Sequence, residues 1–133
     1  MKINVTIHEG PLAVRPADAL EFRGAAGALL RFEGLVREFE GADRITALDY
    51  EVYEPMATRA LHRLAEDVAR CGDVLALSVE HSRGRVQVGQ CSFRMQVAAA
   101  HRGEALRAVE VFVDRMKQDV PIWKTPVYAE EGV

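Results

Sequence analysis

AAAHRGEALRAVEVFVDRMKQDVPIWKTP, Ala98 to Pro126, is the stretch around which this chain is organised. The run that leads into it, Gln90 to Ala100, is rich in Val, Met and Phe, the composition of a buried strand. His101 and Arg102 then fall where a strand gives way to a helix. The first amides of a helix have no internal partner, and the helix dipole favours a negative ligand there. A His-Arg pair at that point predicts a phosphate cradle. The helix that follows carries Ala105, Ala108, Val109, Phe112, Val113 and Met116 on one apolar face. Lys117 sits at the edge of that face, beside Leu106 and Val113, and is expected to be half desolvated, with Arg102 and Lys124 near it. Low dielectric and like charge both favour the neutral amine. Val120 ends the helix, because the residue before Pro121 disfavours helical backbone. The turn at Pro121 is expected to bring Trp123 and Lys124 back towards Lys117.

The rest of the chain gives this stretch its setting. With 133 residues, residues 1–133 are read as one domain with a real core. Hydrophobic residues make up 49% and charged residues 28%, ordinary for a soluble protein, and a net charge of −3 argues against a nucleic-acid binder. Cys71 and Cys91 have no CxxC spacing and read as reduced, partly buried thiols of a cytoplasmic protein. No apolar run approaches membrane-spanning length, and Met1-Lys2-Ile3-Asn4 does not open a signal peptide, so no membrane is expected.

In order along the chain, Ile3, Val5 and Ile7 alternate with polar residues as a half-buried strand. Pro11 to Pro16 is a connector, and Asp18 to Phe22 reads as a short helix. Ala28 to Gly34 is a second strand, Glu38 to Arg44 a polar loop, and Ile45 to Val52 a third strand. A helix starts near Pro55, with Met56, Ala60, Leu61, Leu64, Ala65 and Val68 as its apolar stripe and Gly72 at its end. Val74 to Val79 and Val86 to Val88 read as two further strands separated by His81-Ser82-Arg83-Gly84. Two long helices interleaved with five or six strands indicate an α+β or mixed α/β sandwich.

These pieces, taken in order, resemble the large, catalytic subunit of molybdopterin synthase. The resemblance rests on Phe32-Glu33-Gly34-Leu35-Val36-Arg37, on Leu48 to Ala57 with its Tyr53-Glu54-Pro55-Met56, and on His81 with Gly84 and Gly89. It continues through His101-Arg102 and through Lys117 followed by Val120-Pro121-Ile122-Trp123-Lys124. Nearly the whole chain is covered. The resemblance implies an α/β hammerhead-type sandwich with mixed, largely antiparallel strands. It implies a sulfurtransferase of molybdenum cofactor biosynthesis, which converts cyclic pyranopterin monophosphate to molybdopterin without a cofactor or a metal. The sulfur would come from the C-terminal thiocarboxylate of a small ubiquitin-like subunit ending in Gly-Gly. Two large subunits would form a homodimer, each with one small subunit, giving a heterotetramer. By the same resemblance Lys117 and Lys124 are the catalytic residues. Leu35, Val36, Arg37, His101, Arg102, Thr125 and Pro126 contact the substrate, and Phe32, Met116 and Trp123 line the pocket. Thr125-Pro126 stands where a basic and then an acidic residue are common in the family, and family members run on through a Gly and a Trp-Val pair beyond Ala129 to Val133.

The residue chemistry agrees. A phosphate suits the forked donors of Arg37 and Arg102, and an anionic thiocarboxylate suits two lysines. Plainer roles fit other residues: His81 orients a turn before Gly84, His8 and His62 lie on the surface, and Trp123 shapes a wall. The charges from Arg59 to Arg70 form a solvated helix face. The alternative function is a non-catalytic phosphate- or nucleotide-binding module, or an inactive family member with a shortened C-terminus. A structural homo-oligomer without a ligand would leave the clustered cations unexplained.

Overall fold

The computed structural model describes residues 2–14 and 24–130. Its strands are β1 (Lys2–Glu9), β2 (Ala28–Leu35), β3 (Phe39–Glu40), β4 (Asp43–Val52), β5 (Val74–Gln87), β6 (Cys91–Ala99) and β7 (Ile122–Tyr128). Its helices are α1 (Met56–Cys71) and α2 (Arg102–Asp119). The fold is α+β, with largely antiparallel pairing across seven strands.

β5 is the axis of the sheet. In its first part, Ala76 to Arg83 pairs in parallel with β1 on one side, and Val74 to His81 pairs antiparallel with β6 on the other. β2 closes that edge by pairing with β6. Its last part, Gly84 to Gln87, pairs with β4, and β4 pairs in turn with β7. Gly84 marks the change of partner. Its φ is +84°, and a Cβ there would meet Glu9 Oε1 at 2.6 Å. The positive φ is what favours glycine here, since the exposed Glu9 side chain could swing aside.

Both helices cover one face of the β1-β5-β6-β2 part. Leu61, Leu64 and Val68 of α1 and Ala105, Ala108 and Phe112 of α2 meet Leu77, Val79, Met95 and Val97 of the sheet. Phe112 is fully buried and stacks on Phe93 with ring centroids 6.2 Å apart. Burying such a side chain contributes about 2–3 kcal/mol. A smaller cluster, Val36, Ile45, Leu48 and Val86, fills the β4–β5 end.

Several readings of the sequence need correction. The polar loop from Glu38 to Arg44 is a hairpin, with β3 and β4 joined through Gly41 at φ +63°. The two strands read at Val74 to Val79 and Val86 to Val88 are one strand, because the turn expected at Gly84 is a change of partner. Met56 is 55% exposed and lies outside the apolar stripe of α1, whereas Ala57 and Ala69 are buried in it. Cys71 is exposed, and Cys91 alone is buried. The short helix expected at Asp18 to Phe22 lies outside the described residues.

One buried charge in β6 had no reading in the sequence. Arg94 is 1% exposed on the sheet face away from the helices. It donates to Ala13 O at 2.6 Å and pairs with Glu33 at 3.0 Å and Glu80 at 3.4 Å. A buried guanidinium needs such partners to offset its desolvation. The bond to Ala13, with Leu12 N–H donating to Cys91 O at 2.9 Å, ties the segment after β1 to the sheet.

Candidate active site

A cleft of about 630 Å³ opens where the two parts of the sheet meet the C-terminal end of α2. β2 and its exit supply Phe32, Leu35 and Arg37. α2 supplies Val113, Met116 and Lys117, and β7 supplies Ile122, Trp123 and Lys124. Tyr50, His81, Ser92 and Phe93 form the inner wall, with Glu40 of β3 at the rim.

Local structure explains how the cations reach one place. Val120 ends α2 with extended backbone, as expected before Pro121. Tyr53 N–H donates to Pro121 O at 3.1 Å and fixes the start of β7 against β4. The register then sets Lys124 opposite Tyr50. Directly opposed residues share a face of the sheet, and both line the cleft. Thr125 pairs with Asp49, and Asp49 takes a two-pronged bond from Arg85 at 2.8 and 2.9 Å.

Arg37, Lys117 and Lys124 are the cations of the cleft. Lys124 Nζ stands 3.8 Å from Glu40 Oε1. Among the described residues Arg37 and Lys117 have no hydrogen-bond or ion-pair partner. Free donors in an apolar-walled cleft are a receptor for anions. Lys117 is exposed rather than half desolvated as expected from the sequence; the chain alone does not cover it.

The inner wall is uncharged. Burial pushes the His81 imidazolium down from the ordinary histidine range, against a bond to the Ser82 carbonyl that works the other way. Burial pushes the Tyr50 phenol up, while its 2.9 Å bond to Ser92 Oγ opposes this and the nearby Glu40 charge adds to it.

Not every residue expected in the site reaches the cleft. Val36 is 3% exposed and belongs to the smaller core cluster. Thr125 and Pro126 lie on β7 beside the cleft without lining it. His101 caps α2 with extended backbone, and its Nδ1 lies 3.0 Å from Glu104 Oε1. Arg102 opens α2 and Lys117 lies in its last turn, about 22 Å away along the axis at a rise of roughly 1.5 Å per residue. Arg102 therefore does not stand beside Lys117, contrary to the sequence reading. His101 and Arg102 form a second, exposed pair at the far end of the helix. Glu40, Tyr50 and Ser92 line the cleft without having been singled out as site residues. The sequence signal for Tyr50 was its place in an alternating strand that ends in Tyr53-Glu54-Pro55-Met56. Among the described residues no His, Cys, Asp and Glu cluster could hold a metal ion, and no helix is long and apolar enough to cross a membrane.

Comparison with known proteins points in one direction. The family described as MoaE protein matches residues 7–119. The molybdopterin synthase catalytic subunit of Nostoc sp. is 36% identical over 115 residues, which cover 86% of this chain and 70% of that protein. The Homo sapiens subunit of the same name is 35% identical over 131 residues, 98% of this chain and 68% of its own length. The Arabidopsis thaliana one is 37% identical over 103 residues, 77% of this chain and 52% of its own length. The chain thus spans between half and seven-tenths of the length of these relatives. The crystal structure of molybdopterin synthase from Staphylococcus aureus superposes with a TM-score of 0.73 at 29% identity, over 92% of each chain. A complex of subunits 1 and 2 of molybdopterin-converting factor from Helicobacter pylori matches with a TM-score of 0.68 at 28% identity, over 96% of this chain and 91% of that one.

Proposed function

This chain belongs to the MoaE protein family, and from that premise we propose that it is the catalytic subunit of a molybdopterin synthase, the sulfurtransferase that turns a cyclic pyranopterin monophosphate into molybdopterin. The observation that carries this reading is the cleft where Arg37, Lys117 and Lys124, from three separate elements, face one apolar-walled space. The precursor brings a phosphate, and the sulfur arrives as a thiocarboxylate. Both are anions, and the cleft offers unpaired donors for them. Arg37 holds the phosphate through its forked donor set. Lys117 and Lys124 hold the thiocarboxylate and move protons at the reacting carbons. Phe32, Met116 and Trp123 form the walls.

The sulfur carrier is a small ubiquitin-like subunit whose Gly-Gly tail enters the cleft. The cleft shares Phe32 and Val113 with an apolar groove of about 400 Å³ between β2 and α2, which Leu30, Leu106 and Val109 also line. That groove is a route for an extended tail. The complex of two subunits from Helicobacter pylori, similar in fold to this chain, supports a small partner.

His101 and Arg102 stand too far from Lys117 to serve the same bound molecule within one chain. We place them in the cleft of a second copy, where they add to the phosphate contacts of Arg37. A homodimer with two small subunits is the assembly this requires. Cys71 and Cys91 are free thiols, which suits the reducing cytoplasm.

Mixing this protein with a thiocarboxylated small subunit and the cyclic precursor is the test, with the dithiolene product measured directly. Product that depends on all three components is the expected result. Precursor binding without product, under conditions where another synthase turns over, would leave the non-catalytic binding module in its place.

A further inference from the structure

We propose that His81 is a substrate-positioning residue, whose Nε2 accepts a hydrogen bond from an N–H or O–H on the uncharged body of the molecule bound in the cleft. This deepens the reading of the cleft as a molybdopterin synthase site and rests on it.

His81 is 5% exposed, yet it lines the cleft. Its Nδ1 lies 2.8 Å from Ser82 O. A carbonyl oxygen only accepts, so Nδ1 carries the proton. The other nitrogen, Nε2, has no partner among the described residues and is not sealed from solvent. The ring cannot turn away. Tyr50 and Phe93 hold it edge-on, with centroids 5.2 and 5.9 Å away, and Phe93 is itself stacked on Phe112. A buried imidazole clamped in this way keeps one tautomer, with a lone pair on Nε2. Burial also disfavours the imidazolium.

The neighbours give that lone pair its use. Arg37, Lys117 and Lys124 only donate, and Glu40 stands near Lys124. Anionic ends of a ligand belong with those cations and offer nothing to a lone pair. The reduced, nitrogen-rich ring system of a pterin carries N–H donors, and the inner-wall side chains meet them with the His81 lone pair and the hydroxyls of Tyr50 and Ser92. His81 reads that part of the molecule and sets how deeply it lies against Lys117.

His81→Asn separates this role from a structural one. Its amide can still donate to Ser82 O, but nothing remains at the Nε2 position. With the small subunit and precursor supplied, turnover by the wild-type chain tests the synthase reading itself. If that holds, His81→Asn should keep its melting temperature, raise KM and Kd for the precursor about tenfold, the loss of one hydrogen bond, and change kcat far less. His81→Gln, which returns an oxygen near Nε2, should recover part of the loss. Wild-type KM and Kd in His81→Asn would overturn the proposal. Should His81→Asn not fold, nitrogen-15 spectra of the wild-type chain decide. An unprotonated Nε2 whose resonance moves on adding precursor supports the proposal, even if turnover is absent. A protonated or unmoved Nε2 overturns it.

Discussion

Lys124 Nζ faces Glu40 Oε1 at 3.8 Å across the rim of the cleft, the closest approach of a carboxylate to its cations. Both side chains are substantially exposed, so the pair itself contributes between zero and about 1 kcal/mol. Its consequence is for binding. An incoming anion must share Lys124 with Glu40 or displace it. Glu40→Gln should therefore bind the anionic precursor roughly two- to fivefold more tightly at low salt, with the gain shrinking as ionic strength rises. Titration calorimetry at two salt concentrations measures this. Equal affinity of the two proteins at low salt would mean that Glu40 does not face the bound anion.

The distance between Arg102 and Lys117 along α2 makes the shared site testable. Arg37→Ala and His101→Ala should each weaken precursor binding by about 1.5–3 kcal/mol, the loss of a charge-assisted bond. In the proposed homodimer each substitution removes its group from both clefts. When Lys117→Ala and His101→Ala chains are mixed and allowed to exchange, one cleft of each mixed dimer regains the complete set. Activity should then rise above that of either variant alone. No recovery on mixing, with exchange confirmed by mass spectrometry, would remove His101 from the site.

The sequence carried the local elements of this site well, because local rules set them. The end of α2 before Pro121, the return of Trp123 and Lys124, and the strand before His101 follow from Pro geometry and apolar patterning. Long-range pairing was not legible. Nothing in Val74 to Gln87 says that one strand changes partner at Gly84, since a positive-φ glycine reads equally as a turn. Burial of Arg94 depended on Glu33, Glu80 and Ala13, which lie 61, 14 and 81 positions away. The exposure of Lys117 was misread because an amphipathic edge fixes a direction but not what stands opposite. His81 was read as a turn residue for the same reason, its neighbours Tyr50 and Phe93 being set by sheet register.

Arg94 gives a stability prediction. Its guanidinium is buried and bridges Glu33 to Glu80, so Arg94→Ala removes both bonds and should cost about 3 kcal/mol, even though Arg31 stays 3.5 Å from Glu33 and His8 3.4 Å from Glu80. Denaturant unfolding measures it. A loss under about 1 kcal/mol would show that the network relaxes easily.

The same network predicts acid sensitivity. Burial pushes the Glu33 carboxyl up, but its bond to Arg94, its contact with the Cys91 thiol and the charges of Arg31 and Arg94 outweigh this, and the group ends below the ordinary glutamate range. Stability from such a carboxyl is complete above its unfolded value, about 4.3, and is lost as pH falls through the lower folded value. Glu33→Gln should be less stable than wild type at neutral pH. The difference should narrow as pH drops below about 4.3. A gap between the two that does not change with pH would mean that Glu33 acts through packing alone.

Lys117 carries the most demanding expectation. Its amine is exposed and unpaired among the described residues, so Lys117→Ala should leave the stability of the fold within about 0.5 kcal/mol of wild type. Product formation should nevertheless fall to background. The cleft has only one other lysine, Lys124, and that one already faces Glu40. Exposure in the chain alone also says where the desolvation must come from. A tail lying in the groove between β2 and α2, with the precursor behind it, would exclude water from Lys117 only in the assembled complex. The amine would then stand beside the reacting groups and could pass protons to or from them. Lys117→Arg distinguishes this from simple charge. Arginine keeps the positive group and can still hold a carboxylate, but it does not release its proton at neutral pH. The Arg variant should bind the small subunit and the precursor nearly as wild type and still fail to turn over. Single-turnover measurements with the thiocarboxylated partner would show this directly. Near wild-type turnover by Lys117→Arg would make Lys117 an electrostatic anchor and move the proton transfer to Lys124 or to water.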